Sequence, residues 1–245
     1  MRILFILFAA FCITISAWAG EKGSPFNLKH YGNFKKMVQM KKVDGIIDLK
    51  TALEGKHIYG VGAIKNAEGE ITVHDGKVWL NYGKDGLDKP IHEIPPGEQA
   101  ALLVTAEVEK WKEVAIPKDM EENELYSFIL AEAKKAGLDT NKPFPFLIEG
   151  MISKIIWHVI NGTNDFNMHS HGHGGHSFLK SIVEKREDVS ALLIGFYSAD
   201  IQGVFTHPGE SWHTHVIIKG ENKAGHVEKF GVGKGSILKL PLTDR

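Results

Sequence analysis

Cysteine is almost absent from this chain of 245 residues, whose single example is Cys12. One cysteine cannot form an internal disulfide, so no disulfide framework supports the fold. An excess of charge of one sign is also lacking, because the formal net charge is −1 and no basic run occurs. A nucleic-acid partner is therefore not expected, since such partners need a basic surface.

Several motifs of common enzyme chemistries are missing as well. The sequence has no glycine-rich phosphate loop, no G-x-S-x-G nucleophile elbow and no strong internal repeat. Nothing in it therefore points to phosphate binding by such a loop or to a serine nucleophile on an elbow. The chemistry must be sought in other residues.

The first 19 residues have the pattern of a cleaved signal peptide. Arg2 precedes an apolar run over residues 3–11, and Ala17-Trp18-Ala19 is a small-x-small cleavage site. The alternative is an uncleaved anchor, but the run is shorter than the roughly 20 residues that a membrane span needs. We expect export to the periplasm or the medium, with no membrane attachment after cleavage. Because Cys12 lies in this segment, the mature protein has no thiol chemistry.

Strand-like segments dominate the remainder, which we treat as one domain over residues 20–245. The predicted strands are residues 57–64, 70–74, 77–82, 101–106, 146–150, 153–160 and 191–197. The predicted helices are residues 48–53, 121–136 and 178–186, while residues 28–39 are predicted to be an exposed lead-in. The prediction is an α+β fold of two sheet-rich halves, approximately residues 20–142 and 143–245, with mixed or antiparallel strands and few helices.

Three histidines near the C-terminus have the spacing of a metal site. His213 and His215 are two residues apart in a predicted strand, so their side chains point to the same face. A turn over residues 219–225 would bring His226 back beside them on the next strand. Three nitrogen ligands that leave one position open are typical of catalytic zinc. The alternative is that these are surface histidines of a β-hairpin.

Segments in both halves resemble the α-acetolactate decarboxylase family. In the C-terminal half they are residues 193–204, Gly209, His213-Thr214-His215 and Gly225-His226-Val227; in the N-terminal half they are Gly60–Ala63, Gly69-Glu70-Ile71 and Asp75–Val78. They occur in the family's order and cover most of the mature chain.

The resemblance implies a zinc-dependent decarboxylation of 2-acetolactate, a small 2-hydroxy-3-keto acid, to acetoin through a zinc-stabilised enediolate. It implies that His213, His215 and His226 hold the zinc, in the C-terminal half. It also implies that Glu70 contacts the metal site or relays a proton. From the residues alone, Glu70 could equally be a solvated carboxylate at a strand end.

Two positions depart from the family pattern. The family has an arginine in the strand after Ile148-Glu149-Gly150, where this chain has His158, and Lys154 is the only permanent cation in that strand. The family also has a glutamate beyond the last strand, which residues 240–245 do not match. Glu210, just ahead of His213, is therefore a candidate acid, and His158 is a candidate for the arginine's role.

A second histidine cluster, His169–His176, has no counterpart in the family pattern. Such histidine-glycine tracts bind zinc, copper or nickel weakly. The tract could capture metal, cover the site, or supply a ligand or proton donor, and the alternative is an exposed insertion without function. His207, which precedes Pro208, is a further candidate to line the pocket.

Two other functions are compatible with the sequence. One is an exported zinc-binding protein of the same fold without decarboxylase activity, and the other is a zinc-dependent ester hydrolase, since an open three-histidine site can run that chemistry too. The sequence also leaves open whether the protein is a homodimer.

Overall fold

The structure, a computed structural model, describes residues 26–163 and 179–242. The signal-peptide prediction for residues 1–19, the histidine tract His169–His176 and residues 243–245 lie outside the described residues. Within them, strands outnumber helices, which agrees with the predicted α+β class of sheet-rich halves. No helix in these two ranges combines the length and apolar character that crossing a membrane requires.

Strands of very different length make up most of the described chain, and a few helices lie between them. In chain order the elements are β1 (Lys29–Tyr31), α1 (Phe34–Gln39), β2 (Ile47–Asp48), α2 (Leu49–Ala52), β3 (Ile58–Ile64), β4 (Gly69–His74), β5 (Lys77–Tyr82), β6 (Gln99–Glu107), β7 (Trp111–Ala115), β8 (Met120–Glu121), α3 (Glu122–Lys135), β9 (Phe144–Thr163), β10 (Leu179–Tyr197), β11 (Trp212–Ile218), β12 (Lys223–Val232) and β13 (Ile237–Pro241).

These strands form two sheets whose pairings are all antiparallel. The smaller sheet has the order β1-β6-β3-β4-β5, with β2 on β6. The larger has the order β7-β13-β9-β10-β11-β12-β8, and β12 also pairs with β9. The strands β9, β10, β11 and β12 thus pair in a closed cycle. The main apolar core contains residues of both sheets, so the sheets pack face to face.

Local signals account for several elements. Asp48 caps α2, because its side chain accepts a hydrogen bond from the Thr51 amide. Asp75 and Gly76 both have positive φ, which the tight turn between β4 and β5 requires. Gly137, with φ of 85°, ends α3 in the left-handed conformation.

Two sequence predictions of local structure were wrong. Residues 179–186 are not helical but begin β10, because they pair with β9 along a long hairpin. The alternation of charged and apolar residues there suits a strand with two partly exposed faces as well as it suits a helix. Residues 28–39 are not an exposed lead-in, since β1 pairs with β6 and the side chains of Phe34 and Met37 in α1 are buried.

Candidate metal centre

Strand register places the key histidines in one row across the larger sheet. His215 on β11 is paired with His226 on β12, and His226 is paired in turn with His158 on β9. His213 lies two residues before His215 and therefore faces the same side. The local fold thus brings together the three histidines predicted as ligands, together with the histidine at the family's arginine position.

The three predicted ligands converge on one point. One nitrogen from each of His213, His215 and His226 lies within 4.8 Å of the other two. The ring centroids are 5.0 to 5.4 Å apart. All three residues are buried, so they are not surface histidines of a hairpin.

Burial keeps these imidazoles neutral. It lowers the pKa of His213 to about 4 and that of His215 and His226 well below the usual value, and neighbouring histidines lower the last two further. A neutral ring offers a lone pair, and three neutral nitrogens are a donor set that zinc prefers. His215 Nε2 is buried and has no hydrogen-bond partner among the described residues. These observations fit a bound cation.

Thr72 orients one of the rings. Its hydroxyl lies 2.8 Å from His215 Nδ1 and both groups are buried, so Nε2 is the nitrogen left to face the cluster. Thr72 lies two residues after Glu70 on β4, and the smaller sheet therefore contributes both groups from one strand face. Partners of this kind tune metal affinity by fixing the tautomer and ring orientation.

Replacing Thr72 with valine is expected to weaken zinc affinity by roughly 10- to 100-fold, the range found for lost ligand-orienting hydrogen bonds. Valine keeps the shape but removes the hydroxyl. Zinc affinity would be measured by competition with a chromogenic chelator. Thr105→Val is the matched control. Thr105 is also buried, in β6, but it does not line the pocket that is bordered by Glu70, His158, His213 and His226. Equal affinities of the two variants would show that the hydroxyl does not orient His215.

Glu70 reaches the cluster from the smaller sheet. It is 4% exposed, and its two carboxylate oxygens lie 3.7 Å from His158 Nε2 and 3.7 Å from His215 Nε2. Burial raises the pKa of Glu70 to about 7, although His158 and the Ile160 amide, which donates to Oε1, partly oppose this. Glu70 is therefore not a solvated carboxylate at a strand end.

His158 lies between two carboxylates. Its Nδ1 is 2.8 Å from Glu228 Oε1, and its Nε2 faces Glu70. Burial acts to lower the pKa of His158, but the hydrogen bond to Glu228 and the charges of Glu70 and Glu228 outweigh it and raise the pKa. Lys154, the permanent cation of the strand, pairs instead with Glu121 at 2.5 Å and does not line the pocket.

Sequence reasoning missed Glu228. It follows His226 by two residues, so strand alternation alone could have placed it on the same face. A register irregularity of β12 against β9 falls at this residue, between Val227 and Lys229. The contact with His158 depends on this local geometry, which the sequence does not show.

The structure does not bring Glu210 into the cluster. Its side chain is 63% exposed, and its carboxylate lies 3.9 Å from His207 Nδ1. His207 does line the pocket, as predicted, and its ring stacks between Phe34 and His226 with centroid distances of 4.3 and 5.4 Å. Glu210 is thus at the rim of the pocket, outside the histidine cluster beside which the sequence analysis had placed a candidate acid.

The fold and the site together are those of a two-sheet protein with a candidate metal centre. Two antiparallel sheets pack face to face, and the larger one carries the three histidines. The family model for alpha-acetolactate decarboxylase matches residues 31–242. The chain belongs to that family. A comparison with curated proteins found no significant match.

Solved structures similar to this chain agree with the family in fold. The alpha-acetolactate decarboxylase from Bacillus subtilis strain 168 superposes with a TM-score of 0.69 at 14% identity, covering 87% of this chain and 85% of the other. A Staphylococcus aureus protein of unknown function, described as similar to alpha-acetolactate decarboxylase, gives a TM-score of 0.66 at 16% identity, covering 86% and 84%. At such identities the likeness establishes the fold and leaves the activity to chemical argument.

Proposed function

We propose that this protein is an exported, zinc-dependent carboxy-lyase that converts 2-acetolactate into acetoin and carbon dioxide. The observation that carries the proposal is the buried cluster of His213, His215 and His226 with Glu70 beside it, in a chain of this family. The signal-peptide pattern of residues 1–19 supports the export part of the proposal.

The three histidines would hold the zinc, which when bound supplies a Lewis acid for the negative charge that develops as carbon dioxide leaves. The chain itself must hold the substrate and supply a proton. Glu70 suits the second task, because its carboxyl group is buried beside His158 and His215 and burial raises its pKa, which favours the protonated acid. The proton would pass from Glu70 to the carbon that loses the carboxylate.

The substrate's carboxylate needs a hydrogen-bond donor in the pocket. Neither lysine nor arginine lines it among the described residues, so His158 is the candidate. With Nδ1 held by Glu228, the other nitrogen of His158 is directed into the pocket. A histidine lacks the forked geometry of arginine, which predicts weaker anchoring of the carboxylate.

Replacing Glu228 with alanine is expected to raise KM for acetolactate by about 10-fold or more, because His158 loses the partner that orients it. Glu228→Gln should retain much of the wild-type KM, since its amide oxygen can still accept from His158 Nδ1. Steady-state kinetics on zinc-loaded protein measure both. The control is Glu221→Ala, which removes an exposed carboxylate that pairs with Arg186 away from the pocket. If the alanine variant matches the control, Glu228 does not position His158.

A second candidate is an exported zinc-binding protein of the same fold without decarboxylase activity. The specific observation in its favour is that, in the described part of the chain, the pocket lacks a permanent cation. Metal stoichiometry separates the two candidates, because a catalytic site holds one tight zinc whereas a capture protein holds several weaker ions.

The direct test is chemical. Mature protein loaded with one equivalent of zinc is mixed with racemic 2-acetolactate, and acetoin and carbon dioxide are quantified against protein-free and metal-free samples. We expect equimolar acetoin and carbon dioxide, formed above the spontaneous rate only in the sample with zinc-loaded protein. No acetoin above the spontaneous rate from a fully loaded sample would refute decarboxylase activity.

A further inference from the structure

The pocket has two chemically different sides. The histidines and Glu70 form one side, and the other is built from carbon side chains, namely Phe34 and Met37 of α1, Leu102 of β6 and Ile160 of β9. These four residues belong to one small apolar cluster that is separate from the main core. Such a division suits a small ligand with oxygens at one end and alkyl groups at the other.

The helix α1 is held against this pocket by a side-chain cap and by hydrogen bonds to another loop. Asn33 caps it by accepting from the Lys36 amide at 2.9 Å. Two amides of its first turn, which have no partner within a helix, donate to carbonyls of the loop between β10 and β11: Phe34 to Val204 at 2.7 Å and Lys35 to Gly203 at 3.0 Å. That loop carries His207, on which the Phe34 ring stacks. The helix and the loop therefore form a single wall.

Met37 is the member of this wall best placed to limit ligand size. It lies one turn after Phe34 on the same helix face, is 2% exposed and lines the pocket. Met40, the residue that directly follows the helix, is 58% exposed and does not line the pocket. Because the side chain of Met37 packs inside a cluster, it cannot swing outward without leaving a cavity.

We infer that α1 is a specificity element, in which Met37, backed by Phe34, limits the alkyl substituents of the substrate to short chains. The inference rests on the proposed function, since it names the part of the 2-hydroxy-3-keto acid that each side of the pocket meets. The oxygens face the histidines and Glu70, and the two methyl groups of acetolactate face α1, Leu102 and Ile160.

The test compares substrates that differ only in the alkyl group on carbon 2. For Met37→Ala, the ratio of kcat/KM for the 2-ethyl homologue to that for 2-acetolactate should rise by about 10-fold or more, the usual discrimination of one methylene in an apolar pocket. Met40→Ala, the matched control at the residue that directly follows the helix, should keep the wild-type ratio. Met37→Val, which removes less volume, should give a smaller rise and serves if the alanine variant does not fold, as judged by circular dichroism.

A binding measurement decides the inference independently of turnover. Calorimetric titration of zinc-loaded protein with unreactive acids, 2-hydroxy-2-methylpropanoate and 2-ethyl-2-hydroxybutanoate, should show wild type favouring the smaller acid and Met37→Ala losing that preference. An unchanged ratio in both assays would overturn the role of α1. Discrimination in binding without acetoin formation would refute the proposed reaction while upholding the size limit.

Discussion

Replacing His215 with alanine is expected to reduce zinc affinity by more than about 100-fold, beyond the range for partners that only orient a ligand, and to abolish acetoin formation. His215 is fully buried in the histidine row, where it contacts Thr72 and Glu70 as well as the rings of His213 and His226. Metal content after dialysis against a weak chelator and the rate of acetoin formation would both be measured.

The control for this variant is His57→Ala. His57 is about half exposed and pairs with Asp75 in the smaller sheet, far in sequence from the cluster. The His57→Ala variant should bind one zinc ion tightly and retain activity. Weak binding by the tract His169–His176 would add further ions in every variant, so the affinity of the tightest ion is the quantity to compare. Full activity and one tight zinc in His215→Ala would show that the three rings do not form the metal site.

Replacing Glu70 with glutamine is expected to lower kcat by roughly 100- to 10,000-fold, the contribution that a positioned proton donor typically makes. Glutamine keeps the shape and can still accept the hydrogen bond from the Ile160 amide, but it cannot transfer a proton. One tight zinc should remain, because the three histidines are intact. Rapid-quench and steady-state kinetics on zinc-loaded protein, with metal analysis of the same samples, measure this.

The same substitution has an effect on stability that needs no metal. Glu70 has a pKa of about 7 in the fold and a usual value of 4.5, so the folded state binds its proton more tightly than the unfolded chain does. Its contribution is fully present below pH 4.5 and is lost as the pH rises through 7, to the extent of about 3 kcal/mol. In metal-free protein, Glu70→Gln should therefore gain stability relative to wild type between pH 5 and pH 8, as measured by urea unfolding. If the difference in unfolding free energy between Glu70→Gln and wild type is the same at pH 5 and pH 8, Glu70 is not buried in its neutral form.

Several of the strands and the cluster of His213, His215 and His226 could be predicted from local signals. Strand alternation places His213 and His215 on the same face of the sheet. The length of the turn that follows brings His226 next to them on the neighbouring strand. The position of Glu70 could not be predicted from local signals, because it lies opposite the histidines only through the packing of the two sheets. The family resemblance pointed to it, whereas the residues alone left it open.

Other parts of the site depend on tertiary contacts that the sequence does not show. Residues 28–39 look polar and mixed, yet Phe34 and Met37 are buried because α1 docks on the 203–204 loop. Glu228 meets His158 at a register irregularity of β12. Residues 179–186 carry a pattern compatible with helix or strand, and pairing with β9 decides between them. In each case a long-range contact overrode the local pattern.

The most direct test of a single metal held by these histidines is anomalous diffraction at the zinc edge from crystals of the zinc-loaded mature protein. The expected result is one strong peak about 2.1 Å from a nitrogen of each of His213, His215 and His226, within reach of Glu70. No peak at that point, with zinc bound only elsewhere on the chain, would contradict the account.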